Sequence, residues 1–317
     1  MAQFPPSLPE DRPFDVVGLG GNAADYIVTV PRHPNHGEKM RFTDFAYQGG
    51  GRTATAMVAV SRLGFRARYL GGVGDDPEGR MNVEGRRAEG VDVSGVRTRC
   101  GAFTQRAFIQ VDETSGERTI VWGRGQGIPL EPGEVDDETV TSGRIFYTDA
   151  QDPRTSARAA PVALRSGMSV LADIEDVRPG LDDFMPLVDF LIVSAHFPAL
   201  ATGSQDVEES ARILETRTGG GLVIVTQGAR GSLARIDGRL ESFPAYAVEV
   251  CDTTGAGDVF HAAFAVACLL ETPLREAIDF SNAVAAMKCR RLGGRDGIPC
   301  GIEEVETFRR ETPHRRS

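Results

Sequence analysis

Residues 144–173 read RIFYTDAQDPRTSARAAPVALRSGMSVLAD. Arg144–Thr148 is a short apolar run, Pro153–Ser166 carries small and apolar residues at helical spacing, and Ser169–Asp173 is again short and apolar. Strand, helix, strand in close succession predicts a βαβ unit. The alternation continues through strand candidates Phe190–Ser194 and Leu222–Thr226 and helix candidates Val207–Thr216, Val259–Leu270 and Pro273–Cys289. Short strands separated by helices imply an α/β fold whose mainly parallel sheet is covered on both faces.

Upstream, strands are expected at Phe14–Gly18, Tyr26–Val30, Phe42–Tyr47 and Arg68–Val73, and helices at Thr53–Leu63 and Gly79–Glu89, closed by Gly64 and Gly90. Phe103–Val111 and Arg118–Trp122 break the alternation. They read as a hairpin, joined by Asp112–Glu117, and with Phe42–Tyr47 suggest a small antiparallel sheet laid over the larger one. Ser232–Ile236 and Arg239–Phe243 flank the hairpin turn Asp237-Gly238, and Ala247–Val250 reads as a strand end. The termini, 1–12 and 304–317, are polar and expected to be flexible.

The chain has 317 residues, a net charge of −10 and a pI of about 5.1. That acidity argues against binding nucleic acid through its phosphates. Lys39 and Lys288 are the only lysines, and neither follows a glycine run, so a Walker-type phosphate loop is excluded. The cysteines, 100, 251, 268, 289 and 300, form no C-x-x-C pair and read as reduced thiols. No secretory leader is visible, and apolar stretches such as Ala262–Leu270 are too short to span a bilayer. A soluble, cytoplasmic protein with no membrane partner is expected.

Gly18-Leu19-Gly20-Gly21-Asn22-Ala23 fits a dinucleotide fingerprint, with Glu38 beyond it. The fingerprint requires a helix to start at that turn, where its amides meet a pyrophosphate. The β-type run Tyr26–Val30 follows instead, so a nicotinamide cofactor is not expected.

Asp252-Thr253-Thr254-Gly255-Ala256-Gly257-Asp258, followed by the helix candidate Val259–Leu270, is the strongest chemical signal. A Gly-Ala-Gly run lets backbone N–H groups crowd a ligand, and a helix N-terminus attracts anions. Asp258 there is either an N-cap or a base placed to take a proton from a hydroxyl attacking a phosphate. Thr226-Gln227-Gly228-Ala229-Arg230-Gly231 ends a buried-type strand in a donor-rich loop, where open α/β sheets bind ligands. Gly49-Gly50-Gly51 precedes a helix.

These clusters resemble the ribokinase-like, or PfkB-type, carbohydrate kinases. The resemblance spans about residues 14–300. It includes Gly49–Gly64, the run Gly71-Gly72-Val73-Gly74-Asp75-Asp76 with Gly79, and Asp252–Asp258; the tail Lys288–Pro299 is similar to a branch that contains sulfofructose kinase. It implies a ribokinase-like three-layer sandwich over 13–303, with a small antiparallel β lid from about 25–48 and 98–123.

The resemblance also implies roles. Asp258 would be the base and the amides of Gly255, Ala256 and Gly257 the anion hole for a γ-phosphoryl group from ATP, which arrives with Mg²⁺. Thr226, Gly228 and Gly231 would cradle ATP phosphates, with Asn282 on the adenine side. Asp25, Gly50, Gly51, Arg52, Thr55 and Arg106 would face the sugar. Asp252 and Thr254 match a potassium site. The lid would exclude water and pair two copies into a homodimer.

Two segments depart from the family pattern. Where the family has N-x-x-E, this chain has Ser194-Ala195-His196-Phe197, without the glutamate that helps order Mg²⁺. Gln151 stands where the sulfofructose branch has arginine, although Arg52, Arg106, Arg124 and Arg154 could serve a sulfonate. A sugar or sugar acid is the expected acceptor. Sulfofructose or a nucleoside, and a sugar- or nucleotide-binding pseudokinase, remain the alternatives.

Overall fold

The computed structural model describes residues 4–315. Its first half runs β1 (Val16–Leu19), β2 (Ala23–Val30), β3 (Asp44–Gly50), α1 (Arg52–Arg62), β4 (Ala67–Gly74), α2 (Pro77–Ala88), β5 (Asp92–Arg99), β6 (Arg106–Asp112), β7 (Arg118–Gly123) and α3 (Asp137–Val140). The second half runs β8 (Ile145–Thr148), α4 (Pro153–Arg165), β9 (Ser169–Ile174), α5 (Leu181–Phe184), β10 (Phe190–Ser194), α6 (Phe197–Thr202), α7 (Val207–Arg217), β11 (Leu222–Thr226), β12 (Ser232–Ile236), β13 (Arg239–Phe243), α8 (Ala256–Leu269), α9 (Leu274–Lys288) and α10 (Ile302–Glu311).

The large sheet has the order β13-β12-β11-β10-β9-β8-β1-β4-β5. Every pairing from β11 to β5 is parallel; β12 and β13 add an antiparallel edge through the turn Asp237-Gly238, both of whose residues have positive φ. Alternate residues enter two separate cores. Phe190 and Ile192 join the layer of α1, α8, α9 and α10, while Leu191 and Val193 join that of α4 and α7. Both faces are covered, which is why these strands are continuous apolar runs in the sequence.

The small sheet has the order β3-β2-β6-β7, with β2 and β3 antiparallel, β6 and β7 antiparallel, and β2 parallel to β6. Ile27, Ala107, Ile109 and Val111 form its own buried cluster. Ala23–Val30 is therefore a strand of the lid, and no helix follows Gly18–Ala23. A Cβ at Gly20 would overlap Asp149 and Thr53, so the glycine there serves close packing.

Several expectations are corrected. Ala247–Val250 is not a strand, and β5 is a strand that the pattern did not reveal. Residues 304–311 are not an irregular tail: they belong to α10, whose Val305 and Phe308 are buried and whose Arg309 pairs with Asp279 of α9 at 2.8 Å. An i,i+3 apolar pair in a charged tail needs a partner surface, which α9 supplies. His314 carries the chain on to a bridge with Tyr246. At the other end Phe4 packs on Phe190 and Phe264, with ring centroids 6.0 and 5.7 Å away, and Pro9 O accepts from Arg144 Nε at 3.0 Å. Residues 1–3 and 316–317 lie outside the described chain. Among the described residues, no helix is long and apolar enough to cross a membrane.

Candidate active site

The site lies at the carboxyl ends of the parallel strands, beneath the lid. Its floor is the mouth of α8. Gly255 precedes the helix with φ 75°, in the left-handed region that glycine tolerates. A Cβ there would also lie 2.9 Å from Gly294 O, so both the turn and its neighbour require glycine. The first N–H groups of a helix lack intrahelical acceptors. Among the described residues nothing in the chain accepts from the amides of Gly255, Gly257 or Asp258, whereas Ala256 N donates to Thr253 O at 3.2 Å. Of the three amides expected to form an anion hole, Ala256 is thus engaged in a turn. A Cβ at Gly257 would meet nothing within 4 Å, because that position faces open space.

Asp258 stands in the first turn of α8, and no donor of the chain bonds its carboxylate among the described residues. Burial pushes its pKa up to about 7; Asp173 and Glu175 push the same way, and Arg52 and His261 oppose them. Asp173, at the end of β9, accepts from Tyr147 Oη at 3.2 Å. Arg52 Nη1 lies 3.9 Å from Asp173 and 3.8 Å from Glu175, and its cation bridges the field between Asp149 and Asp258. The ring nitrogens of His261 face Gly257 O at 2.6 Å and Ile192 O at 3.0 Å, which ties the first turn of α8 to β10.

Asp25 of β2 is 5 % exposed, lines the cleft, and bonds no donor of the chain among the described residues. Burial raises its pKa to about 7 against the pull of Arg295. Arg295 is a residue that sequence reasoning missed. It is buried, its Nε and Nη2 have no partner among the described residues, and a Cβ at Gly49 would lie 3.0 Å from both of its terminal nitrogens. Gly50 and Gly51 connect Asp25 to α1. A Cβ at Gly50 would overlap the Asp25 carboxylate, and Gly51, at φ 91°, lies directly against Asn22.

Two expected sugar contacts stand elsewhere. Arg106 turns to α2, where its Nε lies 3.0 Å from Glu78 and its Nη2 3.4 Å from Asp76. Its neighbour Ala107 lines the cleft, and successive strand residues face opposite ways. Thr55 is buried in the second turn of α1, outside the cleft lining.

In the loop expected to cradle ATP phosphates, Thr226 ends β11 and its hydroxyl donates to Val193 O at 3.3 Å. Gly228 and Gly231 both have positive φ in the following loop, and a Cβ at Gly231 would overlap Phe243 O. Asn282 does not face this loop freely: its amide reaches Ser232 Oγ at 3.2 Å and Phe243 O at 3.4 Å and fastens α9 to β12 and β13. His196 lies against Ser194 Oγ at 2.9 Å and Glu175 O at 3.2 Å.

Asp252 is buried and fully engaged. Its carboxylate accepts from Thr254 N at 2.8 Å and Gly293 N at 2.7 Å, and its carbonyl from the buried Lys288 Nζ at 2.7 Å. Thr254 Oγ1 is buried without a partner among the described residues. Among the described residues no group of three His, Cys, Asp or Glu could hold a metal ion.

The cleft measures about 330 Å³. Asp25, Gly51, Arg52, Thr254, Gly255 and Asp258, all expected, line it together. Arg118, Arg124 and Arg178 join them; of these only Arg124 was marked in the sequence, because the others sit on a lid strand and a loop with no motif. Arg154 is an exposed partner of Asp152 instead.

The chain belongs to the pfkB family of carbohydrate kinases, whose profile matches residues 15–300. It is 27% identical over 295 residues to the ribokinase of Haemophilus influenzae, covering 91% of this chain and 96% of that one. It is 29% identical over 318 residues to fructokinase-1 of Oryza sativa, covering 92% and 96%. The crystal structure of the ribokinase of Thermotoga maritima superposes with a TM-score of 0.79 at 26% identity, over 94% of this chain and 100% of that one.

Proposed function

We propose that this chain transfers the γ-phosphoryl group of MgATP to a hydroxyl of a sugar or sugar acid. One observation carries the reading: the Asp258 carboxylate and the free amides of Gly255 and Gly257 meet at one helix mouth on the cleft floor. Asp258 takes the hydroxyl proton as the oxygen attacks phosphorus. The amides, with the positive end of α8, hold the charge on the transferring group. Asp25 accepts hydrogen bonds from sugar hydroxyls, and the backbone at Gly50 and Gly51 lets the ring approach. Thr226, Gly228 and Gly231 hold the nucleotide phosphates. Glu175, exposed at the end of β9 beside His196, offers MgATP the carboxylate missing from Ser194–Phe197. A coupled ADP-release assay over ketoses, aldoses, sugar acids and nucleosides tests the reading. Sugar binding without ADP release from any member of that panel would make the protein a sugar-binding relative that has lost turnover.

A base must be ionised to act. With its pKa near 7, Asp258 is the working carboxylate above that value, so kcat is expected to fall as pH drops through about 7. Asp173→Asn removes a neighbouring negative charge and should move this limb to lower pH. A pH–rate profile of both proteins checks the sign, and an unmoved limb would detach it from Asp258.

We infer that no potassium ion is resident at Asp252 and Thr254, although Thr254 Oγ1 is a buried oxygen unpartnered among the described residues. The carboxylate and carbonyl of Asp252 already accept three N–H groups, and Lys288 supplies a positive charge there. Turnover in choline chloride is therefore expected to equal turnover in potassium chloride; a rise of several-fold with potassium would restore the ion.

The outer lid face supports a homodimer. Tyr47, Tyr26, Phe108 and Val121 lie in register across all four strands, and Phe108 and Val121 are 55 % and 67 % exposed. An aromatic row of this kind is a candidate interface. Phe108→Glu is expected to shift the protein to a monomer in sedimentation, and an unchanged state would exclude this face.

A further inference from the structure

Beyond Asp25 and Gly51 the cleft ends among guanidinium groups. Arg124 follows β7 and Arg178 follows β9, and both line the cleft with Gln151, which follows β8. Arg52 also lines the cleft, where its Nη1 lies 3.9 Å from Asp173 and 3.8 Å from Glu175. Arg124 makes no hydrogen bond or ion pair among the described residues; its guanidinium lies 6.0 Å from the centre of the Trp122 ring. Burial and the nearby Arg178 and Arg52 hold its pKa below the usual range for arginine.

The carboxylates at this end are already committed. Asp149 accepts from Gly21 N at 2.8 Å and Gln151 N at 2.9 Å, Asp152 pairs with Arg154 at 2.9 Å, and Asp176 pairs with Arg178 at 2.9 Å. One guanidinium is therefore left half-buried beside two others with no hydrogen bond or ion pair among the described residues, and Asp149 and Asp152 favour its charge only through space. Partly desolvated charge is costly unless paired. A neutral sugar would leave it unpaired; an oxyanion would pair it, and a guanidinium fork suits carboxylate, phosphate and sulfonate alike. Nucleotide phosphates do not fill this place: the loop after β11 lies on the far side of Asp258, which His261 anchors to β10, whereas Gln151 lies at the end of β8.

We infer that the acceptor is an anionic sugar derivative, whose oxyanion group is held by Arg124 and Arg178 at the end of the cleft away from Asp258. This rests on the kinase reading above and names the substrate class of that same site. Arg124 is then a specificity-determining residue: it binds the part of the substrate that does not react.

Calorimetry in the presence of a non-hydrolysable ATP analogue tests the inference separately from turnover. Gluconate, 2-keto-3-deoxygluconate, fructose 6-phosphate and 6-deoxy-6-sulfofructose are compared with glucose and fructose, and the same set is run for ADP release. At least one anion is expected to bind about 100-fold more tightly than its neutral counterpart, and the three acid types identify which oxyanion fits. Arg124→Gln should cut that preference by about 10- to 100-fold, the scale of one hydrogen bond to a charged group, and mainly through KM. Arg124→Lys, which keeps the charge, should restore part of it. Neutral sugars binding as well as every anion, or Arg124→Gln weakening both classes equally, overturns the inference. Anion binding that depends on Arg124 without ADP release would uphold it and sink the kinase reading instead.

Discussion

Asp258→Asn is expected to lower kcat by about 10²-fold or more, the scale of losing a positioned general base, while sugar and nucleotide still bind. The substitution is nearly isosteric and removes only the ability to take a proton. It also removes a charge that Asp173 and Glu175 disfavour, so the fold should be no less stable and the loss cannot be attributed to unfolding. The pH limb near 7 should vanish with the carboxylate. ADP-release kinetics with calorimetry of the variant check this. Near-normal turnover would remove Asp258 from the role of base.

Gly50→Ala should be almost as damaging, by a different route. The added methyl would overlap the carboxylate of Asp25. Asp25 has little room to retreat: it is 5 % exposed on the cleft-facing side of β2. It must turn from the cleft or force β2 and β3 apart. Either way the acceptor loses its partner, and kcat/KM for the sugar is expected to fall about 100-fold, chiefly through KM. Nucleotide affinity, set by the loop after β11, should hold. Equal losses of sugar and nucleotide binding would point to a collapsed lid instead. Gly257→Ala is the informative contrast: its Cβ meets no protein atom within 4 Å, so any effect falls on whatever occupies the open space.

Much of the fold is legible along the chain because both faces of the sheet are covered. Strands such as Phe190–Ser194 and Leu222–Thr226 had to be uninterrupted apolar runs, and the structure has them at the same residues. The lid was legible as a hairpin. Its register was not, and register decides that Ala107 faces the cleft while Arg106 turns to Glu78. The tail misled for a related reason. Two apolar residues among charges become a packed helix only against a surface that lies elsewhere in the chain, here α9 with Asp279.

Asp258 and its glycines were legible because they are neighbours in the chain. A helix start, a run without side chains and a carboxylate within one turn express their chemistry locally. The groups around them were not. Arg295 acts on Asp25 across most of the sequence, and Arg124 and Arg178 come from the segment after a lid strand and from a distant loop to one cleft. The sequence by itself determined the layers, the parallel sheet and the turn that sets Asp258 at the mouth of a helix. Tertiary structure alone decided which arginines are paired and which line the cleft without a partner, because charge compensation depends on distance in space, and folding sets that distance without regard to order along the chain.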